Sequence, residues 1–94
     1  MVNSFKDLTV WQKSIDFVTA VYLLVKQLSK EETYALSDQM RRAVVSIPSN
    51  IAEGFGRNST KEYVQFLYIA LGSASEIETQ MIIGQKIGYG GFDS

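Results

Sequence analysis

The sequence predicts an all-α fold, an up-down antiparallel helical bundle forming a single domain over residues 1–94. Three observations carry that expectation. Apolar residues recur at alternating steps of three and four, the spacing that keeps side chains on one helix face. Turn punctuation falls between long periodic segments, and strand-like alternation is nearly absent. At 94 residues, with 46% hydrophobic and 20% charged residues, the chain has a globular composition and the length for one core.

The first helix is expected over about Thr9 to Leu28. Leu8, Trp11, Ile15, Val18, Tyr22 and Val25 make one stripe. Phe17, Val21, Leu24 and Leu28 make a second, rotated around the helix, which widens the apolar arc to roughly 200° where a one-sided helix needs about 100°. This second stripe is the candidate oligomer interface. The polar stretch Ser29 to Tyr34 reads as a turn that also supplies acidic residues before the next helix.

Helix two is expected over Leu36 to Glu53, with Leu36, Met40, Ala43, Val44, Ile47 and Ile51 inward. Pro48 falls inside this pattern. It has no amide to donate to the Val44 carbonyl and biases Ile47 away from helical geometry, so a kink, or a break into two shorter helices, is expected there. Gly54 to Asn58 reads as a loop, with glycine ending the helix in the left-handed conformation. Ser59-Thr60-Lys61-Glu62 matches a capping box and starts a third helix that runs to about Ile87, roughly 40 Å long. Helices one and two, nearer 30 Å, leave part of it uncovered. Gly88 ends it, and residues 88–94 form a glycine-rich tail.

Zero Cys and zero His remove disulfides, thiolate and imidazole metal sites, and Ser-His or Cys-His catalysis. No enzyme activity and no cofactor is expected, and no small-molecule substrate is evident. Glu76 and Glu78, two apart on a helix, point about 160° from one another and cannot share a site. Glu78 lies within the apolar arc and, if buried, needs a partner; Gln39, Asn50 and one of Arg41 and Arg42 are the candidates, which makes Gln39, Asn50 and Glu78 candidate polar residues setting bundle register.

A formal net charge of -1 gives no bulk signal for nucleic acid or anionic membrane. Arg41, Arg42, Arg57 and Lys61 are nonetheless candidate contacts to RNA or DNA if they share one surface and are multiplied by assembly. The plainer alternative is a solvated face balanced by Glu31, Glu32, Asp38, Glu53 and Glu62. Gly54 to Lys61 superficially resembles a phosphate cradle, but it follows a helix and lacks a Gly-Lys-Ser/Thr string, so a C-cap followed by an N-cap is preferred. The small-residue run Gly72 to Ser75 reads as a close helix crossing. Trp11, Phe17, Tyr22, Phe66 and Tyr68 read as core or interface residues. No signal peptide or membrane span is visible, so a cytoplasmic protein is expected.

Several strings resemble a known family. Phe5-Lys6-Asp7-Leu8, Val10 to Lys13 and above all Arg41 to Gly54 are similar to the bacterial four-helix bundle proteins named after 23S rRNA intervening sequences. Ser59, Lys61-Glu62, Gly72-Ser73, Glu76, Glu78-Thr79-Gln80 and Gly88-Tyr89 extend the likeness. The resemblance implies a homo-oligomer, in relatives a pentameric ring, with no enzymatic activity. A similar fold serves as an accessory protein of diversity-generating retroelements, where a basic surface engages nucleic acid. The family's fourth helix has no counterpart after Tyr89, and its absence is expected to expose the inward faces of helices one and three.

Overall fold

A computed structural model of the chain describes residues 3–28 and 30–88, without the side chains of 30–34. A single 3₁₀ turn, Phe5–Asp7, precedes three helices: α1 (Thr9–Lys26), α2 (Lys30–Phe55) and α3 (Thr60–Ile87). No strand occurs among the described residues. The fold is the all-α antiparallel bundle that the periodicity predicts.

The 3₁₀ turn forms because Ser4 accepts from the Lys6 amide at 3.2 Å and Gln12 Nε2 donates to the Lys6 carbonyl at 2.9 Å. Phe5 then meets Trp11 edge to face, with ring centroids 5.3 Å apart, so the entry to α1 is fixed by packing as well as by capping. α1 buries Ser14, Val21 and Val25. Leu28, just beyond its end, is buried too and closes the core beneath the α1–α2 connection.

α2 is longer than the sequence predicts. It begins at Lys30, so much of the stretch expected to form a turn is helix. Lys and Glu are good helix formers, the stretch contains neither glycine nor proline, and acidic residues suit the first turn of a helix. Glu31 and Glu32, proposed above as counter-charges, lie outside the described side chains. At 26 residues α2 nearly matches the 28 of α3, so α1, at 18, is the short member.

Pro48 does not break α2. The carbonyls around it are taken by side chains: Ser46 Oγ donates to Ala43 O at 3.0 Å, Ser49 Oγ to Val45 O at 2.9 Å, and Asn50 Nδ2 to Ser46 O at 2.7 Å. Ile47 and Pro48 are both buried. None of these reaches the Val44 carbonyl that Pro48 leaves without a donor, so it is the packing of Ile47 and Pro48 that offsets a local penalty of about 3 kcal/mol for proline in a helix.

α2 lies at the centre, with α1 and α3 each packed along it. Among the described residues α1 and α3 make no direct backbone approach to one another. Met40, Val44, Ile51 and Ile77 are the most deeply buried large side chains, three from α2 and one from α3. The molecule measures 45 × 20 × 20 Å, an elongated three-helix slab with its long axis along the helices.

The α2–α3 crossing is close at two points. Gly54 is the penultimate residue of α2 and is helical, and a Cβ there would lie 2.6 Å from Phe66 Cβ. The expectation of a left-handed Gly54 is therefore corrected: only Gly88 has positive φ among the described residues, and Gly54 is small because Phe66 presses against it. Halfway along, Ser46 Oγ hydrogen-bonds Ser73 Oγ, so the small-residue run of α3 does serve a close crossing there. Gly72 does not take part, having open space around it.

α3 starts as predicted. Ser59 Oγ accepts from the Glu62 amide at 3.1 Å, and the hydroxyl donates back to Glu62 Oε2 at 3.2 Å. It ends at Gly88, whose amide reaches the Gly84 and Gln85 carbonyls with φ of 86°. The tail 89–94 lies outside the described residues.

Candidate functional surfaces

The four candidate phosphate-binding cations do not form one patch. Arg42 is paired with Asp38 at 3.1 Å, and Arg57 with Glu53 at 2.6 Å, each one helical turn away in sequence. Arg57 also covers the Phe66 ring, 4.9 Å from its centroid. Arg41 is half-buried and Lys61 is exposed in the first turn of α3. Arg41 and Arg42 lie about 20 Å along α2 from the turn that carries Arg57 and Lys61.

The turn between α2 and α3 is a pair of caps. The Gly56 amide is taken by the Ala52 and Glu53 carbonyls and the Arg57 amide by Gly54 O, while Ser59 takes both the Glu62 amide, through its hydroxyl, and the Tyr63 amide, through its carbonyl. The Gly56, Arg57, Glu62 and Tyr63 amides are thus spent on the two caps.

Glu78 is exposed, and no hydrogen bond joins it to Gln39, Asn50, Arg41 or Arg42. Gln39 is itself exposed, and Asn50 turns back to its own helix. The three candidate register residues are not brought together. The buried polar residue of α3 is instead Gln80, 4% exposed. Its Nε2 donates to Glu76 Oε2 at 3.3 Å, while its Oε1 is buried without a partner. The signal was its spacing: Gln80 lies on the stripe of Ile77 and Gly84, three and four residues away. Among the described residues, no three Asp or Glu side chains cluster as metal ligands.

The candidate oligomer stripe on α1 is corrected in part. Val21 and Leu28 are buried in the chain's own core, because that flank of α1 is the one that meets α2. Leu24 is half-buried, and Phe17 is 37% exposed. The first stripe behaves differently: Trp11, Ile15 and Val18 border a shallow apolar recess with Val45, Pro48 and Ala52 of α2.

An unpartnered groove lies between α1 and α3. It has a volume of about 420 Å³ and is lined by Phe17 of α1 and by Ala74, Met81, Ile82, Glu78 and Gln85 of α3. The groove exists because both flanking helices pack on α2 and neither reaches the other. Beside it, Val64, Tyr68, Leu71 and Ile82 are exposed along α3, Tyr68 at 69% and Leu71 at 61%. Isolated exposed apolar residues need no explanation, but a contiguous strip bordering an apolar groove marks an association surface. No described helix is long and apolar enough to cross a membrane.

No curated protein matches the chain. The profile of the family described as 23S rRNA-intervening sequence protein matches residues 6–93, which takes in the 3₁₀ turn from its second residue and all three helices. The bundle, the two-cap turn and the string through Pro48 thus occur in a chain that belongs to the 23S rRNA-intervening sequence protein family.

Proposed function

We propose that this chain is a cytoplasmic, non-enzymatic helical-bundle protein that acts by self-assembly, presenting a repeated polar surface to a partner as a scaffold or adaptor. The observation that carries this reading is the apolar groove between α1 and α3, continuous with the exposed strip of Tyr68 and Leu71. Covering such a surface is the hydrophobic driving force for association, at about 25 cal/mol per Å² of apolar area removed from water. The family resemblance implies a ring of five copies. A dilution series followed by light scattering tests the reading: the mass stays above that of one chain into the low micromolar range, and a monomer at high micromolar concentration removes it.

A second reading is RNA or DNA binding through Arg41, Arg42, Arg57 and Lys61 repeated over the assembly. Its support is that Arg42 is almost wholly exposed and its ion pair is of the surface type, worth about 0.2–1 kcal/mol, so a phosphate can displace Asp38 at little cost. Retention on immobilised RNA at low salt, lost steeply as salt rises, is the expected result. Failure to bind at low salt removes this reading.

A further inference from the structure

α3 carries a second row of residues besides the one it buries against α2. Ile69, Ser73, Glu76, Gln80, Ile83 and Ile87 follow alternating steps of four and three, the narrow spacing of a coiled-coil seam. At 100° per residue the row is turned roughly 80° from Ala70, Ile77 and Gly84, toward the flank away from the α1–α3 groove. Its ends are aliphatic and exposed, at Ile69 on one side and at Ile83 and Ile87 on the other. Its middle is polar and runs beside α2, where Ser73 is hydrogen-bonded to Ser46.

The polar middle is short of one donor and one positive charge. Gln80 spends its Nε2 on a long bond of 3.3 Å to Glu76 Oε2 and leaves its own Oε1 buried without a partner. Glu76 is exposed, and among the described residues no ion pair joins it to a cation; Arg42 and Arg57 are held by Asp38 and Glu53. One turn of the seam therefore presents a carboxylate without a counter-charge beside a carbonyl oxygen without a donor. A guanidinium answers both at once, since it carries the charge and holds several N–H donors in a fixed planar fork.

We infer that this row is the docking seam for one helix of a partner protein, whose aliphatic side chains cover Ile69, Ile83 and Ile87 and whose central arginine bonds the Glu76 carboxylate and Gln80 Oε1. The inference names the partner class in the reading of this chain as an adaptor, and rests on that part of the reading. A polar position in an otherwise aliphatic seam selects register and partner, because a helix without the matching group leaves it unpaired. The same row on a second copy is not that match: two such seams bring two Glu76 carboxylates together and supply no cation. Glu76 and Gln80 bracket the midpoint of the row, so a central arginine reaches them whichever way the partner helix runs. From Ile69 to Ile87 the seam is about 27 Å long, the span of a helix of about 20 residues.

The test titrates the whole chain into three labelled synthetic helices of that length, followed by fluorescence anisotropy. All three carry leucine at the seam positions and differ only at the central one, which is arginine, leucine or glutamate. The arginine helix is expected to bind about 10-fold or more tighter than the leucine helix, and the glutamate helix weakest. Glu76→Lys, at an exposed position, is expected to reverse the order of the arginine and glutamate helices with helical circular dichroism retained. Gln80→Met separates recognition from structure: it is expected to narrow the preference for arginine while raising the melting temperature of the free chain. Equal binding of the arginine and leucine helices, binding of none of the three, or a preference that neither variant moves overturns the inference. Light scattering on Glu76→Lys is expected to give the mass of the unaltered chain. A fall to one chain's mass makes the seam a contact between copies, which overturns the partner assignment and leaves self-assembly standing. An unaltered chain that is monomeric yet prefers the arginine helix removes self-assembly and upholds the seam.

Discussion

Gly54 of α2 and Phe66 of α3 approach so closely that a Cβ on residue 54 would lie 2.6 Å from the Phe66 Cβ, with Tyr63 Cδ1 at 3.1 Å. The atom in the way is at the root of the Phe66 side chain, not at its flexible end, so the helices themselves must move apart to admit it. Gly54→Ala is therefore expected to destabilise the fold by about 1–3 kcal/mol despite alanine's better helix propensity. Urea denaturation followed by circular dichroism reads the difference; an unchanged or higher midpoint contradicts the close approach.

Gln80 presents the opposite case. Its Oε1 is buried with no partner, a state that costs about 1–3 kcal/mol. Gln80→Met keeps the approximate shape and removes the unpaired acceptor, giving up only an exchangeable bond to Glu76. The melting temperature is expected to rise by a few degrees, equivalent to about 1 kcal/mol. A fall would mean that the amide is satisfied in solution, for example by water.

Ser46 and Ser73 join α2 to α3 by a hydroxyl–hydroxyl hydrogen bond, while the Ser46 hydroxyl donates its hydrogen bond to the Ala43 carbonyl. Ser73 is accordingly the donor. A double-mutant cycle with Ser46→Ala and Ser73→Ala is expected to show a coupling of about 1 kcal/mol, the double variant being less destabilised than the sum of the singles. Additive effects would show that the two hydroxyls act independently.

Asp38 and Glu53 hold two of the four candidate nucleic-acid contacts in exposed ion pairs. Removing both carboxylates with Asp38→Asn and Glu53→Gln is expected to change stability by less than about 1 kcal/mol. If Arg42 and Arg57 contact phosphate, the same variant binds RNA more tightly at low salt, with a steeper salt dependence. Tighter binding without a change in salt slope would point to some other contact.

The helical periodicity made α1, the core of α2 and the start and end of α3 legible from sequence, because burial on one helix face leaves a direct imprint at three- and four-residue spacing. Three features were legible only in part. The start of α2 was hidden because Lys30 to Glu32 are helix formers that also populate turns. Pro48 carries a strong local signal for a break, and the burial of Ile47 and Pro48 against the neighbouring helices outweighs it. Gly54 reads as a cap or as a contact depending on what faces it, and Phe66 lies across a turn. For the surfaces, the widened apolar arc of α1 announced a second contact, but which of its residues α2 claims depended on a rotation of α1 that spacing does not fix. The pairing of Arg42 with Asp38 and of Arg57 with Glu53 was visible in principle, each being four residues apart.

Absolute mass in solution, measured by light scattering on a sizing column, tests most directly the claim that this bundle works as an assembly. The account predicts a discrete species of several times the 10.5 kDa chain, held together on dilution to low micromolar concentration. A species of 10.5 kDa at high micromolar concentration, with the helices intact by circular dichroism, would contradict it.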